Sequence, residues 1–196
     1  AYTHNNHSQF IKKSIDEVTG KEVRALLRGA DVKVLVGCAP CQPFSSHQKD
    51  KKHRSNHKDW KLLYQFSRLV KEVKPHIVSM ENVPELQKEK VFLDFVNTLK
   101  EENYVVNYDV VNVADYGVPQ RRKRLILLAS KRKEIKIPTP THERYITVRE
   151  AIGNLPEVKA GEADKDDALH IAPALSSINL QRIRTVSYTH LRAHET

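Results

Sequence analysis

The sequence predicts an α/β fold built on a mostly parallel sheet that ends in an antiparallel strand pair. Three observations carry this reading. Two apolar, β-branched runs, at 32–37 and 76–80, flank a stretch from Trp60 to Val73. In that stretch Leu62, Leu63, Phe66, Leu69, Val70 and Val73 recur at helical spacing. Strand, amphipathic helix and strand form a unit whose strands run parallel, with both carboxyl ends at one sheet edge. The last extended runs, 104–113 and 125–129, are joined by too few residues for a helical crossover, so they pair antiparallel.

The totals bound the answer. The chain has 196 residues, of which 39% are hydrophobic and 29% charged, enough for one domain with a sizeable core but not obviously two. This balance excludes a disordered chain. Its formal net charge of +9 points to a polyanionic partner, although a lysine-rich solubilising surface would give the same total. The two cysteines, the lack of a membrane-spanning apolar run and the lack of an amino-terminal signal pattern predict a reducing intracellular compartment.

Along the chain, a polar, His-rich start gives way to Gln9–Ile15, which reads as a short edge strand. A helix follows in which Val23, Leu26 and Leu27 share a face. The next strand ends at Gly37, and Pro40 fixes φ, so Cys41 is presented where strand becomes loop. Residues 46–58 are almost devoid of apolar side chains and predict an exposed loop whose Lys and Arg residues can meet phosphates or simply be solvated. His53 and His57 are four apart but have no third ligand nearby, so no metal site is expected.

Pro75 closes the central helix, and Glu81-Asn82-Val83-Pro84 ends the second strand. The parallel unit brings Glu81 and Cys41 to one edge across forty residues of chain. A second helix over 91–102 carries Phe92, Phe95, Val96 and Leu99 on one face, and 115–119 reads as a turn. Arg122 and Arg124, two apart on extended chain, face the same side. Residues 131–141 read as a linker, and 146–156 as a short helix stopped by Gly153 and Pro156.

A thiol at a strand end, in a cationic chain, has the access and the positive surroundings that a nucleophile needs, which makes Cys41 the candidate. Glu81 by itself reads equally as a helix-start acid or a surface charge, and the arginines as a basic strand end. Cys38-Ala39-Pro40-Cys41 also fits the Cys-x-x-Cys of a thioredoxin-like thiol oxidoreductase, a reading with no role for Glu81 or the arginine pair.

Taken in order, Pro40-Cys41-Gln42-Pro43-Phe44-Ser45, Glu81-Asn82-Val83 and Gln120-Arg121-Arg122-Lys123-Arg124 closely resemble three motifs of the DNA cytosine-5 methyltransferases. The resemblance covers roughly residues 1–185. It implies a partial Rossmann-like sheet that uses S-adenosylmethionine, and methyl transfer to C5 of cytosine in double-stranded DNA. The implied route is a covalent Cys41 adduct on a base turned out of the helix.

The resemblance also implies roles for individual residues. Cys41 is nucleophile, Glu81 is acid and reader of the ring edge, Arg124 is donor to O2, and Arg122 is support for Glu81 or the Cys41 loop. Ala39, Pro40, Gln42, Ser45, Asn82 and Val83 are implied against the substrate or DNA backbone. Ile15 and Leu63 are implied against the cofactor, with Lys61 beside them. Ser14 stands where the family usually has an aspartate, so that carboxylate is missing, as is the glycine-rich cofactor turn.

These departures imply an incomplete or inactive piece, which alternatively holds DNA without methylating it and leaves the edge of the Cys41 strand bare. The expected organisation is a partial catalytic domain at 1–130, a linker and the start of a target-recognition region at 131–186, and a non-native tail at 187–196. The parent is expected to be a cytoplasmic, DNA-associated monomer with no membrane partner. A cognate restriction endonuclease would act in the same system without direct contact.

Overall fold

The computed structural model describes residues 6, 8–39, 60–167 and 169–185. The chain divides into two compact units, 1–113 with 122–141, and 114–121 with 142–196.

The first unit holds the sheet. Its elements are α1 (Gly20–Leu26), β1 (Val34–Gly37), α2 (Trp60–Val73), β2 (Ile77–Asn82), α3 (Lys90–Glu101), β3 (Val105–Asn112) and β4 (Lys123–Ser130). The strand order is β1-β2-β4-β3. β1 and β2 are parallel, and β4 is antiparallel to both β2 and β3. Among the described residues, three of the four strands therefore run in one sense, as the sequence implies, and β4 is reversed. The antiparallel pair of β3 and β4 forms as expected, but among the described residues β4 lies inside the sheet and β3 at its edge.

One face of the sheet carries the core. Along β2 the buried positions are Val78, Met80 and Asn82, and along β4 they are Leu125, Leu127 and Ala129, with Ser130 also buried at the strand's end. This is the period-two alternation of a strand with one face covered. Leu63, Phe66 and Val70 of α2, with Phe92, Phe95 and Leu99 of α3, pack with these strand residues in a single cluster. Phe66 and Phe95 bring their ring centres to 5.6 Å. Gly37 ends β1 on this face, where an added Cβ would lie 2.6 Å from the Phe66 ring. Among the described residues β1 is a sheet edge, with Val36 70% exposed.

α3 ends in a reversal that its sequence explains. Asn103 takes a left-handed φ of 63°, a conformation asparagine tolerates, and the Tyr104 N–H then donates to the Leu99 carbonyl at 2.9 Å. The Tyr104 hydroxyl donates to the Pro75 carbonyl at 2.6 Å and is buried there.

Gln9–Ile15 is not a strand, contrary to the sequence expectation. The Glu17 N–H bonds the Ser14 carbonyl at 3.0 Å and the Ser14 N–H bonds the Glu17 carboxylate at 3.1 Å. These local bonds close a turn and compete with strand pairing. Phe10 and Ile11 remain exposed beside it.

The second unit holds α4 (Val148–Ile152) and α5 (Ser177–Thr185). Thr147 and Glu150 form a reciprocal cap at the start of α4. The Thr147 backbone N–H and Arg144 hold the Glu150 carboxyl down to about 2. Within this unit Arg121 lies over the Tyr145 ring at 5.4 Å, a cation–π contact.

Candidate active site

The register of β1 and β2 decides what meets at their ends. Gly37 pairs with Met80, and both belong to the core-facing set. Pleat alternation sends the next residue of each strand, Cys38 and Glu81, to the opposite face, and returns Ala39 and Asn82 to the core side. The contacts follow this alternation. Cys38 Sγ lies 3.0 Å from Glu81 Oε2, and Asn82 Nδ2 donates to the Ala39 carbonyl at 2.9 Å.

Asn82 is 3% exposed, and its Oδ1 also accepts the Val83 N–H at 2.9 Å. A buried amide with both ends satisfied by backbone is a rigid joint. It ties the end of β2 to the chain two residues before Cys41. Cys41 itself, with Pro40, Gln42 and Ser45, lies outside the described residues, as does the basic stretch with His53 and His57.

β4 supplies the third part. Because it runs against β2, its beginning lies beside the end of β2, and Glu81 pairs across to Ile126. Arg124, two residues earlier, sits diagonally on the same face as Glu81. Its Nε is 2.7 Å from Glu81 Oε1, with the arginine side chain 18% exposed and the glutamate 40%. A second Arg124 nitrogen donates to the Lys123 carbonyl at 2.7 Å. Such a charge-assisted, partly shielded pair fixes the carboxylate more firmly than an open surface pair would.

The side chain that meets Glu81 is thus that of Arg124. Arg122 is exposed and is fixed through its backbone, donating from its N–H to Asn112 Oδ1 at 3.1 Å and accepting from the Val113 N–H at 2.9 Å.

The residues implied against a cofactor stand apart from one another in character. Ile15 sits in the turn after Ser14 and packs partly against the core. Leu63 is a core residue, 2% exposed, and offers a ligand almost no surface. Lys61 is exposed.

Sequence reasoning missed two neighbours of this turn. Asp16 accepts a bond from the Ser14 hydroxyl, and that bond with its own backbone N–H holds its carboxyl below the usual aspartate range. A carboxylate is therefore present two residues beyond Ser14, the position where the resemblance implies an aspartate. Arg68, on α2, donates to the carbonyls of Ile15 and Val18 at 3.2 and 2.8 Å. No helical periodicity distinguishes such an arginine from a solvated one.

Among the described residues no cluster of His, Cys, Asp and Glu could hold a metal ion, and no helix is long and apolar enough to cross a membrane.

The fold is shared with solved methyltransferases. A putative DNA modification methyltransferase encoded within an E. coli prophage superposes with a TM-score of 0.63 at 22% identity, covering 82% of this chain and 46% of that one. The Entamoeba histolytica methyltransferase EhMeth gives 0.59 at 23% identity, covering 73% of this chain and 45% of that one. The class is therefore an α/β methyltransferase fold with a reversed strand in its sheet.

Residues 1–188 match the C-5 cytosine-specific DNA methylases, and the chain belongs to that family. The type II methylase M.HgiDII of Herpetosiphon aurantiacus is 48% identical over 189 residues, 94% of this chain and 52% of the relative. The type II methyltransferase M.XorII of Xanthomonas oryzae is 36% identical over 158 residues, 76% of this chain and 36% of the relative. The chain thus spans about half the length, or less, of these curated relatives.

Proposed function

We propose that these residues are the cysteine-bearing part of an enzyme that methylates C5 of cytosine in double-stranded DNA. The observation that supports this most directly is the join at the end of β2, where Glu81 holds Arg124 and Asn82 holds the chain leading to Cys41.

The chemistry accounts for each residue type. C5 of cytosine is a poor nucleophile, and C6 is shielded in a stacked duplex, so the base is turned out before reaction. The Cys41 thiolate adds to C6, its lone pair forming the S–C6 bond while ring electrons move toward C5. Glu81 faces the ring edge, holds N4 and supplies hydrogen bonding at N3 that makes the addition easier. Arg124 anchors Glu81 and brings positive charge to the O2 side of the ring. C5, made electron-rich by that addition, would take the methyl group; the C5 proton then passes to solvent as the C6–S bond breaks, its electrons returning to sulfur as the Cys41 thiolate, which restores the aromatic ring. Pro40, Gln42, Ser45, Ala39, Asn82 and Val83 shape the base-holding loop, with Arg122 supporting it.

S-adenosylmethionine supplies an electrophilic methyl group when bound. Ile15 fits such a cofactor as an apolar wall, with the Asp16 carboxylate in the same turn, whereas buried Leu63 supports the wall from behind. The further residues that complete the cofactor site belong to the remaining half of a protein of the relatives' length. The whole protein works as a DNA-associated cytoplasmic monomer, in a restriction–modification setting where a cognate endonuclease shares the site without touching it.

Covalent trapping tests the reading. The whole protein is incubated with DNA carrying a mechanism-based cytosine analogue, and the adduct is resolved by denaturing electrophoresis. Wild type forms it and Cys41→Ser does not. Trapping retained by Cys41→Ser removes Cys41 from the chemistry.

A further inference from the structure

The two oxygens of the Glu81 carboxylate meet different side chains. Oε1 takes Arg124 Nε at 2.7 Å, and Oε2 lies 3.0 Å from Cys38 Sγ. The Cys38 contact is built by backbone register, because Gly37 pairs with Met80 and the next residues on each strand share the outer face. Rotation of a carboxyl about its last bond is broad and only weakly restricted by its own stereochemistry. One donor on one oxygen leaves that rotation partly open, whereas a donor on each oxygen fixes it.

We propose that Cys38 is a positioning residue for Glu81: the thiol hydrogen bond to Oε2, opposite the guanidinium on Oε1, sets the plane of the carboxyl before a base arrives. The proposal rests on Glu81 being the residue that holds the cytosine ring. A thiol suits the task because it is a weak, uncharged donor that orients the carboxylate without drawing it away from Arg124. Each carboxylate oxygen accepts more than one hydrogen bond, so one keeps a lone pair for the N4 amino group and the other a site for the proton shared with N3. Cys38 makes no bond to substrate in this scheme and undergoes no covalent step. This separates it from a Cys38–Cys41 redox pair, in which the thiol itself would be consumed.

The test is steady-state DNA methylation by the whole protein with Cys38→Ala, Cys38→Ser, Glu81→Gln and the Cys38→Ala/Glu81→Gln double variant. Cys38→Ala should lower kcat about five- to tenfold, the loss of one hydrogen bond to a charged group, with KM for DNA and the melting temperature unchanged. Cys38→Ser, which restores a donor, should recover most of kcat. In the Glu81→Gln background, Cys38→Ala should cost nothing further, because the group it orients has been altered.

Wild-type kcat in Cys38→Ala, or the same fold loss in both backgrounds, overturns the proposal and leaves the methyltransferase reading standing. Glu81→Gln as active as wild type would instead sink the reading on which the proposal rests.

Discussion

Arg124 and Glu81 stand on neighbouring antiparallel strands, forty-three residues apart in sequence, with Nε and Oε1 2.7 Å apart. The guanidinium presents its Nε edge to the carboxylate and also reaches the Lys123 carbonyl. A lysine keeps the charge but loses this two-way geometry.

Arg124→Lys should therefore lower kcat for methyl transfer about tenfold or more while DNA affinity changes little. Parallel measurement of turnover and of DNA binding by fluorescence anisotropy checks this. Equal losses in both would make Arg124 a phosphate contact.

Asn82 is the joint between the two strand ends. Asn82→Ala leaves the Ala39 carbonyl and the Val83 N–H without their partner in a partly buried place, at a cost of about 1–2 kcal/mol in denaturant unfolding. Covalent trapping by Cys41 should slow in the same variant. Asn82→Asp should be worse, because its carboxylate faces a carbonyl.

Gly37 has no room for a side chain. Gly37→Ala places a methyl group 2.6 Å from the Phe66 ring and should cost about 1–3 kcal/mol as β1 moves outward. Shrinking the opposing ring with Phe66→Leu in the same molecule should recover part of the loss. A recovery read by thermal melting ties the effect to this contact.

Tyr104 gives the sheet an alkaline limit. Burial first, and the charge of Glu102 second, push its phenol up to about 12 from an ordinary value of 10.0. Between these values the unfolded chain has already lost the proton that the folded chain retains, so stability falls as pH rises through that window and is unaffected by this group below it. Tyr104→Phe should abolish that part of the slope and, at neutral pH, cost about 1 kcal/mol for the lost bond to the Pro75 carbonyl. Urea midpoints measured across the alkaline range check both.

Much of this arrangement was legible because periodicity records burial. The α2 stripe and the α3 face predict the core directly, and the short connection before β4 predicts its reversal, whereas the unbroken apolar run 125–129 marks a strand without saying which of its residues face the core. The place of β4 between β2 and β3 was not legible, since pairing partners depend on which edge is already filled. The Glu81–Arg124 pair was half legible: both residues stood in recognisable motifs, but only the register gives Arg124, and not Arg122, the contact. The Cys38 contact was hidden because a cysteine next to a candidate nucleophile invites a disulfide or a filler reading. Gln9–Ile15 misled for a simpler reason, since a few apolar residues in a short stretch say nothing about the side-chain bonds that close a turn.

The reversed strand also orders events during synthesis. β1, β2 and β3 all leave the ribosome before β4, so β2 waits with one side unpaired, and β3 waits without its pairing strand, until Ser130 has emerged. A nascent chain in that interval has a slot shaped for one more strand, and any extended peptide nearby competes for it. Slowing translation just upstream of Lys123 should lengthen that vulnerable period, while a chaperone holding β3 away from β2 would keep the vacancy for its rightful occupant.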